Sequence, residues 1–291
     1  MTQARPKPVD KLRGLLKGPG LIVMPCCFDP LSAKLIEQAG FPLTFMSGFA
    51  VSAARLGVPD TGLISYGEMV DQGRNICSSV SIPVIGDGDT GYGNAFNVKR
   101  TVKGYASAGF AAIMIEDQVS PKRCGFTSGK AVVDRAEACE RIQAAVEART
   151  ESQDILILAR TDARYEHGLD EAIERARRFH ELGADILFVA APQYEAELRE
   201  VGTSLPGPKM VTLVQGAVTP NLPLQRLEEM GYRLAAYPHT LLSAAMKAMI
   251  DVLEDLKADS VSPGRLLSFD DIKSRIGFDD YFAEERRWKR P

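Results

Sequence analysis

Four acidic side chains stand where apolar runs end. Asp87 and Asp89 close "PVIGDGD", Glu116 follows "AIMI", and Asp60 ends the loop "GVPD". Two residues apart on a strand, Asp87 and Asp89 would share one side. Three or four carboxylates brought together repel one another unless a cation neutralises them. Oxygen ligands without a histidine or thiolate set suit Mg²⁺ with several waters retained, Mn²⁺ being the alternative ion. Taken singly, each acid could equally cap a helix or solvate a loop. Arg160 follows the apolar run "ILILA", so its cation needs an anionic partner. That partner is the acid cluster, another protein carboxylate or a substrate carboxylate.

A thiol completes the reactive inventory. In "SPKRCGFTSGK", residues 120–130, Cys124 has Lys122 and Arg123 before it and Gly125 after it. Neighbouring cations favour a thiolate and glycines permit movement. Such a thiol can protonate a carbanion or attack a carbon; the competing reading is a bystander on a surface loop. Cys26, Cys27, Cys77 and Cys139 lie in strand or helix patterns and read as packing residues. The five cysteines show no C-x-x-C spacing, which implies neither a disulfide framework nor a zinc site and fits a reducing, cytoplasmic compartment. His167, His180 and His239 have no metal-ligand spacing.

The elements that must position these groups recur as a unit. Apolar, β-rich runs fall at 21–25, 42–48, 83–89, 112–118, 155–161, 186–191, 210–214 and 233–238. They are continuously apolar, as parallel strands covered on both faces require. Helical segments between them open on capping-box spacings, Ser65/Glu68 and Asp134/Glu137, and close on Gly40, Gly109, Gly183 and Gly231. Eight such units predict a (β/α)8 barrel in one domain, 1–291. A doubly wound sheet is the second choice, but no G-x-G-x-x-G follows the first strand, and the aspartates of "GDGDTGYG" would repel a pyrophosphate. In a barrel, the C-terminal ends of the strands converge on one mouth, which brings Ser47–Gly48, the acids, Arg160 and the Cys124 loop together.

Composition limits the partners. A net charge of −3 over 291 residues offers no basic stripe for nucleic acid, no apolar run is long enough to span a bilayer, and "MTQARPKPVDKLRGLL" lacks the apolar core of a secretion signal. The expected partner is a small molecule.

"SGFAVSAARLGVPDTGLISYGEM", "GDGDTGYGNAFNVKRTV", "IEDQVSPKRCG" and "ARTDAR" together resemble the isocitrate lyase/phosphoenolpyruvate mutase superfamily. The similarity extends to "IGFDDYFAEERRW" and looks closest to the 2-methylisocitrate lyase, dimethylmalate lyase and petal death protein branch. The resemblance implies a TIM barrel whose last helix, here from about residue 242 onward with the C-terminal extension, is exchanged between subunits of a homotetramer. It implies Mg²⁺ on Asp87, with Asp60, Asp89 and Glu116 reached largely through water. A 2-oxo-acid carboxylate would bind the backbone at Ser47 and Gly48, with Phe49 adjoining. Arg160 would pair with a substrate carboxylate or enolate oxygen. Cys124 of K-x-C-G would protonate the carbanion-like fragment after carbon–carbon cleavage, with Lys122 and Gly125 on the same loop. The base stays open between Glu116 and Asp89.

This chain departs from the tricarboxylate lyases at four positions: Phe126, Ala190, Thr212 and Gln215 replace a histidine, a glutamate and members of an N-M-x-E motif. These changes make one end of the site less polar, so the leaving fragment is expected to bear an alkyl group and fewer charges than methylisocitrate. The implied reaction is cleavage of a substituted 2-hydroxy di- or tricarboxylic acid into a 2-oxo acid (pyruvate or glyoxylate) and a second carboxylic acid. An oxaloacetate-type hydrolase or decarboxylase and a catalytically silent barrel are the alternatives.

Overall fold

The structure is a computed structural model that describes residues 6–124, 129–151 and 153–288. Eight strands form the sheet: β1 Ile22–Cys27, β2 Thr44–Met46, β3 Val84–Asp87, β4 Ala112–Glu116, β5 Leu156–Thr161, β6 Ile186–Val189, β7 Met210–Thr212 and β8 Leu234–Tyr237. All pair in parallel, in the order β6-β5-β4-β3-β2-β1-β8-β7. A parallel bridge between Leu187 and Lys209 joins β6 to β7, with the Leu187 amide donating to the Pro208 carbonyl at 3.0 Å. The sheet thereby closes into the (β/α)8 barrel that the repeating sequence pattern predicts.

Two apolar layers explain the continuous apolar runs. Met24, Phe45, Ile85, Met114, Leu158 and Met210 fill the barrel interior, and Val9 and Leu12 of the first helix, Pro8–Lys17, plug its N-terminal end. Alternate residues such as Val84, Ile113, Ile157 and Leu187 face outward against the helices. A strand lined on both sides has no polar face, so alternation is absent.

The helix ends are encoded locally. Ser65 Oγ accepts from the Glu68 amide while Glu68 Oε2 accepts from the Ser65 amide, a complete capping box. Asp134 accepts from the Glu137 amide at 2.8 Å, but Glu137 turns to Arg141 rather than back, so this second box is only half made. Gly109 and Gly231 adopt φ of 99° and 90°, the left-handed conformation that stops each helix before the next strand. Among the described residues no helix is long and apolar enough to cross a membrane.

Candidate active site

Strand register sets the site. Glu116 at the end of β4 pairs with Arg160 on β5, and Arg160 pairs in turn with Phe188 on β6. Arg160 Nη1 lies 3.1 Å from Glu116 Oε2, its Cζ sits 5.4 Å from the Phe188 ring centre, and Asp162 grips the other edge through Nε at 2.7 Å and Nη2 at 3.0 Å. Burial alone would lower the Arg160 pKa. Asp162 and Glu116 outweigh it and hold the guanidinium well above its ordinary value.

Asp87 ends β3. Its Oδ2 accepts from the Gly48 amide and its Oδ1 from the Asp89 amide, each at 3.1 Å. Asp89 does not continue the strand. Its φ of 48° puts it in a left-handed turn past the strand end, so the two-residue alternation expected for the pair fails. The turn nevertheless returns Asp89 to the cluster: Lys122 Nζ stands 2.6 Å from Asp89 Oδ1 and 2.8 Å from Asp60 Oδ1. Ala191, just past β6, shares this rare backbone at φ 57° and lines the cavity. Such conformations persist where surrounding structure over-determines them, commonly at functional sites.

Between β4 and the helix Arg135–Glu151, the described residues up to Cys124 return to the barrel mouth. The neck of this segment is a bridge of Gln118 to Val132, with the Val119 amide donating to the Ala131 carbonyl at 2.8 Å. Lys122 and Cys124 are each only 6% exposed. The ammonium of Lys122 pairs with Asp60 and Asp89. Burial would lower the Lys122 pKa, but Asp89, Asp87, Asp60 and Glu116 together hold it well above the usual lysine value.

Lys122 and Cys124 border a cavity of about 60 Å³. Ser47, Phe49, Asp60, Asp87, Lys122, Cys124, Arg160 and Thr212 all line it, so most of the residues expected at the site do converge. Gly48, Asp89 and Glu116 stand directly behind these groups. Gln215 does not take part: β7 ends at Thr212 and the chain turns outward, leaving Gln215 exposed. Gly125 and Phe126 lie outside the described residues. Ala190 lines the cavity beside Phe188, Met210 and Ala236, an apolar wall. His239 was missed. It follows β8, lines the cavity and sits with its ring centre 4.2 Å from that of Phe49. Its place after a strand end was the available signal. Asp117, also at a strand end, is structural, since it accepts from Thr161, the Asp162 amide and Arg175.

The charges tell what the site can hold. Asp60, Asp87, Asp89, Glu116 and Asp162 face Lys122, Lys130 and Arg160, which with all five carboxyls ionised leaves two negative charges unmatched. Asp87 makes no direct salt bridge among the described residues, feeling Lys122 and Arg160 only at longer range, and Glu116 Oε1 has no hydrogen-bond partner. Burial, opposed by Arg160 and Lys122 and reinforced by Asp162 and Asp87, pushes the Glu116 carboxyl up to about 8. Burial likewise lifts Asp89 to about 6. A divalent ion would supply the two missing charges. No three acids, histidines or cysteines among the described residues converge tightly enough to chelate it directly. One direct carboxylate and a shell of waters is the arrangement that fits, as Mg²⁺ prefers.

An acid-rimmed mouth on the C-terminal face of a (β/α)8 barrel, with a loop-borne thiol and a guanidinium at one cavity, defines a TIM-barrel enzyme of small polar substrates. Residues 12–257 match the family described as phosphoenolpyruvate phosphomutase. The chain belongs to this phosphoenolpyruvate mutase/isocitrate lyase superfamily, and it is an enzyme of that superfamily's carbon–carbon lyase and mutase group. It is similar to 2,3-dimethylmalate lyase of Eubacterium barkeri, with 40% identity over 92% of this chain and 94% of the relative. It is also similar to 2-methylisocitrate lyase of Aeropyrum pernix, with 37% identity over 93% and 87%. Among solved structures, oxaloacetate acetylhydrolase bound to 3,3-difluorooxalacetate superposes with a TM-score of 0.92 at 32% identity, covering 97% of this chain and 98% of that one. Phosphonopyruvate hydrolase in complex with oxalate and Mg²⁺ gives 0.87 at 30% identity, covering 97% and 99%.

Proposed function

We propose that this enzyme is a Mg²⁺-dependent carbon–carbon lyase. It cleaves a substituted 2-hydroxy di- or tricarboxylic acid of the alkylmalate type into a 2-oxo acid and a second carboxylic acid. The observation that carries this reading is that Asp87, Arg160 and Cys124 line one cavity. Asp87 would hold the ion directly, with Asp60, Asp89 and Glu116 behind its waters. The bound ion supplies Lewis-acid stabilisation of negative charge on the 2-oxygen.

The remaining steps belong to the chain. Glu116 is the better base of the two candidates, because its Oε1 is uncommitted while Asp89 is paired with Lys122. Removal of the 2-hydroxyl proton lets the C2–C3 bond break, making a carbonyl at C2 and an enolate on the leaving acid. Arg160 stabilises that enolate or its carboxylate, and the Cys124 S–H donates its proton to the carbon. The Ser47 side of the cavity would receive the carboxylate of the oxo-acid half, but the backbone amides expected to bind it are already donated, that of Ser47 to the Cys27 carbonyl at 3.0 Å and that of Gly48 to Asp87 Oδ2 at 3.1 Å. The wall of Phe188, Ala190, Met210 and Ala236 supports an alkyl group on the leaving fragment.

A hydrolase or decarboxylase acting on an oxaloacetate-like acid is the second reading, favoured by the 0.92 superposition on oxaloacetate acetylhydrolase. Product analysis separates the two: a lyase releases a 2-oxo acid with a second carboxylic acid, a decarboxylase releases carbon dioxide, and hydrolysis of oxaloacetate releases oxalate with acetate. Faster turnover of methylisocitrate than of alkylmalates would refute the apolar subsite.

The proposed assembly is a homotetramer of helix-exchanged pairs in the cytoplasm. Met249, Leu253 and Leu256 on the helix Thr240–Lys257 are each more than half exposed, as is Phe269. Beside this helix lies an apolar groove of about 320 Å³ formed by Val23, Pro25, Leu35, Ile36 and Phe41. Apolar surface on this scale is costly in water, and a second copy's C-terminal helices are the occupant of matching chemistry.

A further inference from the structure

With the Ser47 and Gly48 amides donated within the protein, a carboxylate on that side of the cavity needs another donor. Ser47 Oγ accepts from the Ala50 amide at 3.3 Å, and a hydroxyl in that role keeps its own hydrogen to give. Among the described residues, three side chains that line the cavity carry nitrogen: Lys122, Arg160 and His239. Acids hold the first two, Asp60 and Asp89 at Lys122, Glu116 and Asp162 at Arg160.

His239 comes from the other side. The sheet runs β6-β5-β4-β3-β2-β1-β8-β7 and closes between β6 and β7, so β8 stands across the barrel from β4 and its Glu116. Register then brings His239 to Ser47. Tyr237 at the end of β8 pairs with Pro25 on β1, and Cys27 at the end of β1 pairs with Met46 on β2. Two residues past Tyr237, His239 is level with Cys27 and with Ser47, the cap of the short helix Gly48–Val51. The His239 carbonyl accepts from the Ser243 amide at 2.8 Å, where the helix Thr240–Lys257 begins. Its ring meets that of Phe49 with centres 4.2 Å apart and a tilt of 42°. A helix start and an aromatic face therefore fix the imidazole at the cavity. The neighbouring wall of Phe188, Ala190, Met210 and Ala236 is apolar, so the chemistry changes at this ring. In either protonation state an imidazole keeps at least one N–H.

We propose that His239 is a substrate-binding and specificity-determining residue: its N–H, together with the Ser47 hydroxyl, holds the carboxylate of the 2-oxo-acid half in place of the backbone. This deepens the lyase reading and rests on it. The divalent ion of that reading balances the ligand's charge, and His239 supplies direction, favouring a planar anionic carboxylate over a neutral group of the same shape.

The test titrates pyruvate and pyruvamide, its uncharged counterpart, into the full chain with Mg²⁺ by calorimetry. His239→Phe keeps a ring against Phe49 and removes the N–H. Its pyruvate affinity is expected to fall about tenfold or more, as for loss of a hydrogen bond to a charged group. Pyruvamide affinity should fall no more than about threefold, because its hydrogen bond is not charge-assisted. His239→Gln, which keeps an N–H, should recover most of the pyruvate affinity. Uptake of Mg²⁺ alone should stay within about twofold of wild type. If His239→Phe does not melt cooperatively, His239→Leu is measured in its place. A ring that only packs would leave pyruvate affinity within about twofold of wild type, and that outcome overturns the assignment. Equal losses for the two ligands, or a matching loss of Mg²⁺ affinity, overturn it as well. Wild-type protein that binds neither ligand overturns the lyase reading and this assignment with it, whereas wild-type binding with an unaffected variant overturns the assignment alone.

Discussion

The Gly48 amide donates to Asp87 Oδ2 at 3.1 Å, and a Cβ on Gly48 would stand only 2.6 Å from that same oxygen. Glycine is thus required by close approach to the carboxylate and not by backbone conformation. Gly48→Ala should push the Asp87 carboxylate out of position and weaken Mg²⁺ binding by about 10- to 100-fold, the range seen when metal ligands lose their support. Thermal unfolding should change little by comparison. Calorimetry and a melting curve on the same preparation check the split.

The second prediction concerns protons. Glu116 is raised to about 8, mainly by burial, so in the metal-free protein it is largely protonated at pH 7. Its unfolded value is near the ordinary 4.5, so the folded state binds more protons. Its contribution to stability then falls as pH rises from about 4.5 towards 8. A divalent ion replaces that proton. Binding of Mg²⁺ at pH 7 should release about one proton, as metal sites that need ionised ligands do. Calorimetric titrations in buffers of different ionisation enthalpy give the number, and the thermal stabilisation by Mg²⁺ should grow between pH 6 and 8.

Replacing Cys124 by serine removes the proton donor but not the charge balance around Asp87. Lyase turnover should drop by about 10²- to 10⁴-fold, the usual worth of a positioned acid. Affinity for Mg²⁺ should stay within about twofold of wild type, the scatter expected of independent sites. Unchanged turnover would assign the thiol to the role of bystander.

The apolar face of the C-terminal helices gives a fourth expectation. Met249→Asp with Leu253→Asp inserts two charges into the surface assigned to a second copy, 57% exposed at both positions in the isolated chain. Sedimentation should find the wild-type chain as a tetramer and the double variant as smaller species, with the barrel's circular dichroism retained. A wild-type chain that sediments as a monomer would contradict the assembly.

The barrel was legible because every strand is apolar on both faces and several helices stop at a left-handed glycine. Those signals are local. The site was legible where a charged residue interrupts an apolar run, as Arg160 and Glu116 do, since a charge there demands a partner across the mouth. It was less so where geometry depends on tertiary closure. Asp89 reached the cluster by a turn with φ 48°, not by strand alternation. Gln215 swung out because β7 is only three residues long. Phe188 and Met210 read as ordinary core residues, and only barrel register reveals that they form the cavity wall. The sequence places Lys122 beside the thiol but does not reveal that its four-carbon stem carries the charge to acids 62 and 33 residues earlier in the chain.

The most direct measurement is calorimetric titration of Mg²⁺, with oxalate present, into the wild-type chain and Asp87→Asn. The account predicts one ion per wild-type chain, none detectable in a variant that still melts cooperatively, and protection of Cys124 from alkylation as the ion and oxalate load. No uptake by the wild type, or equal uptake by Asp87→Asn, would contradict it.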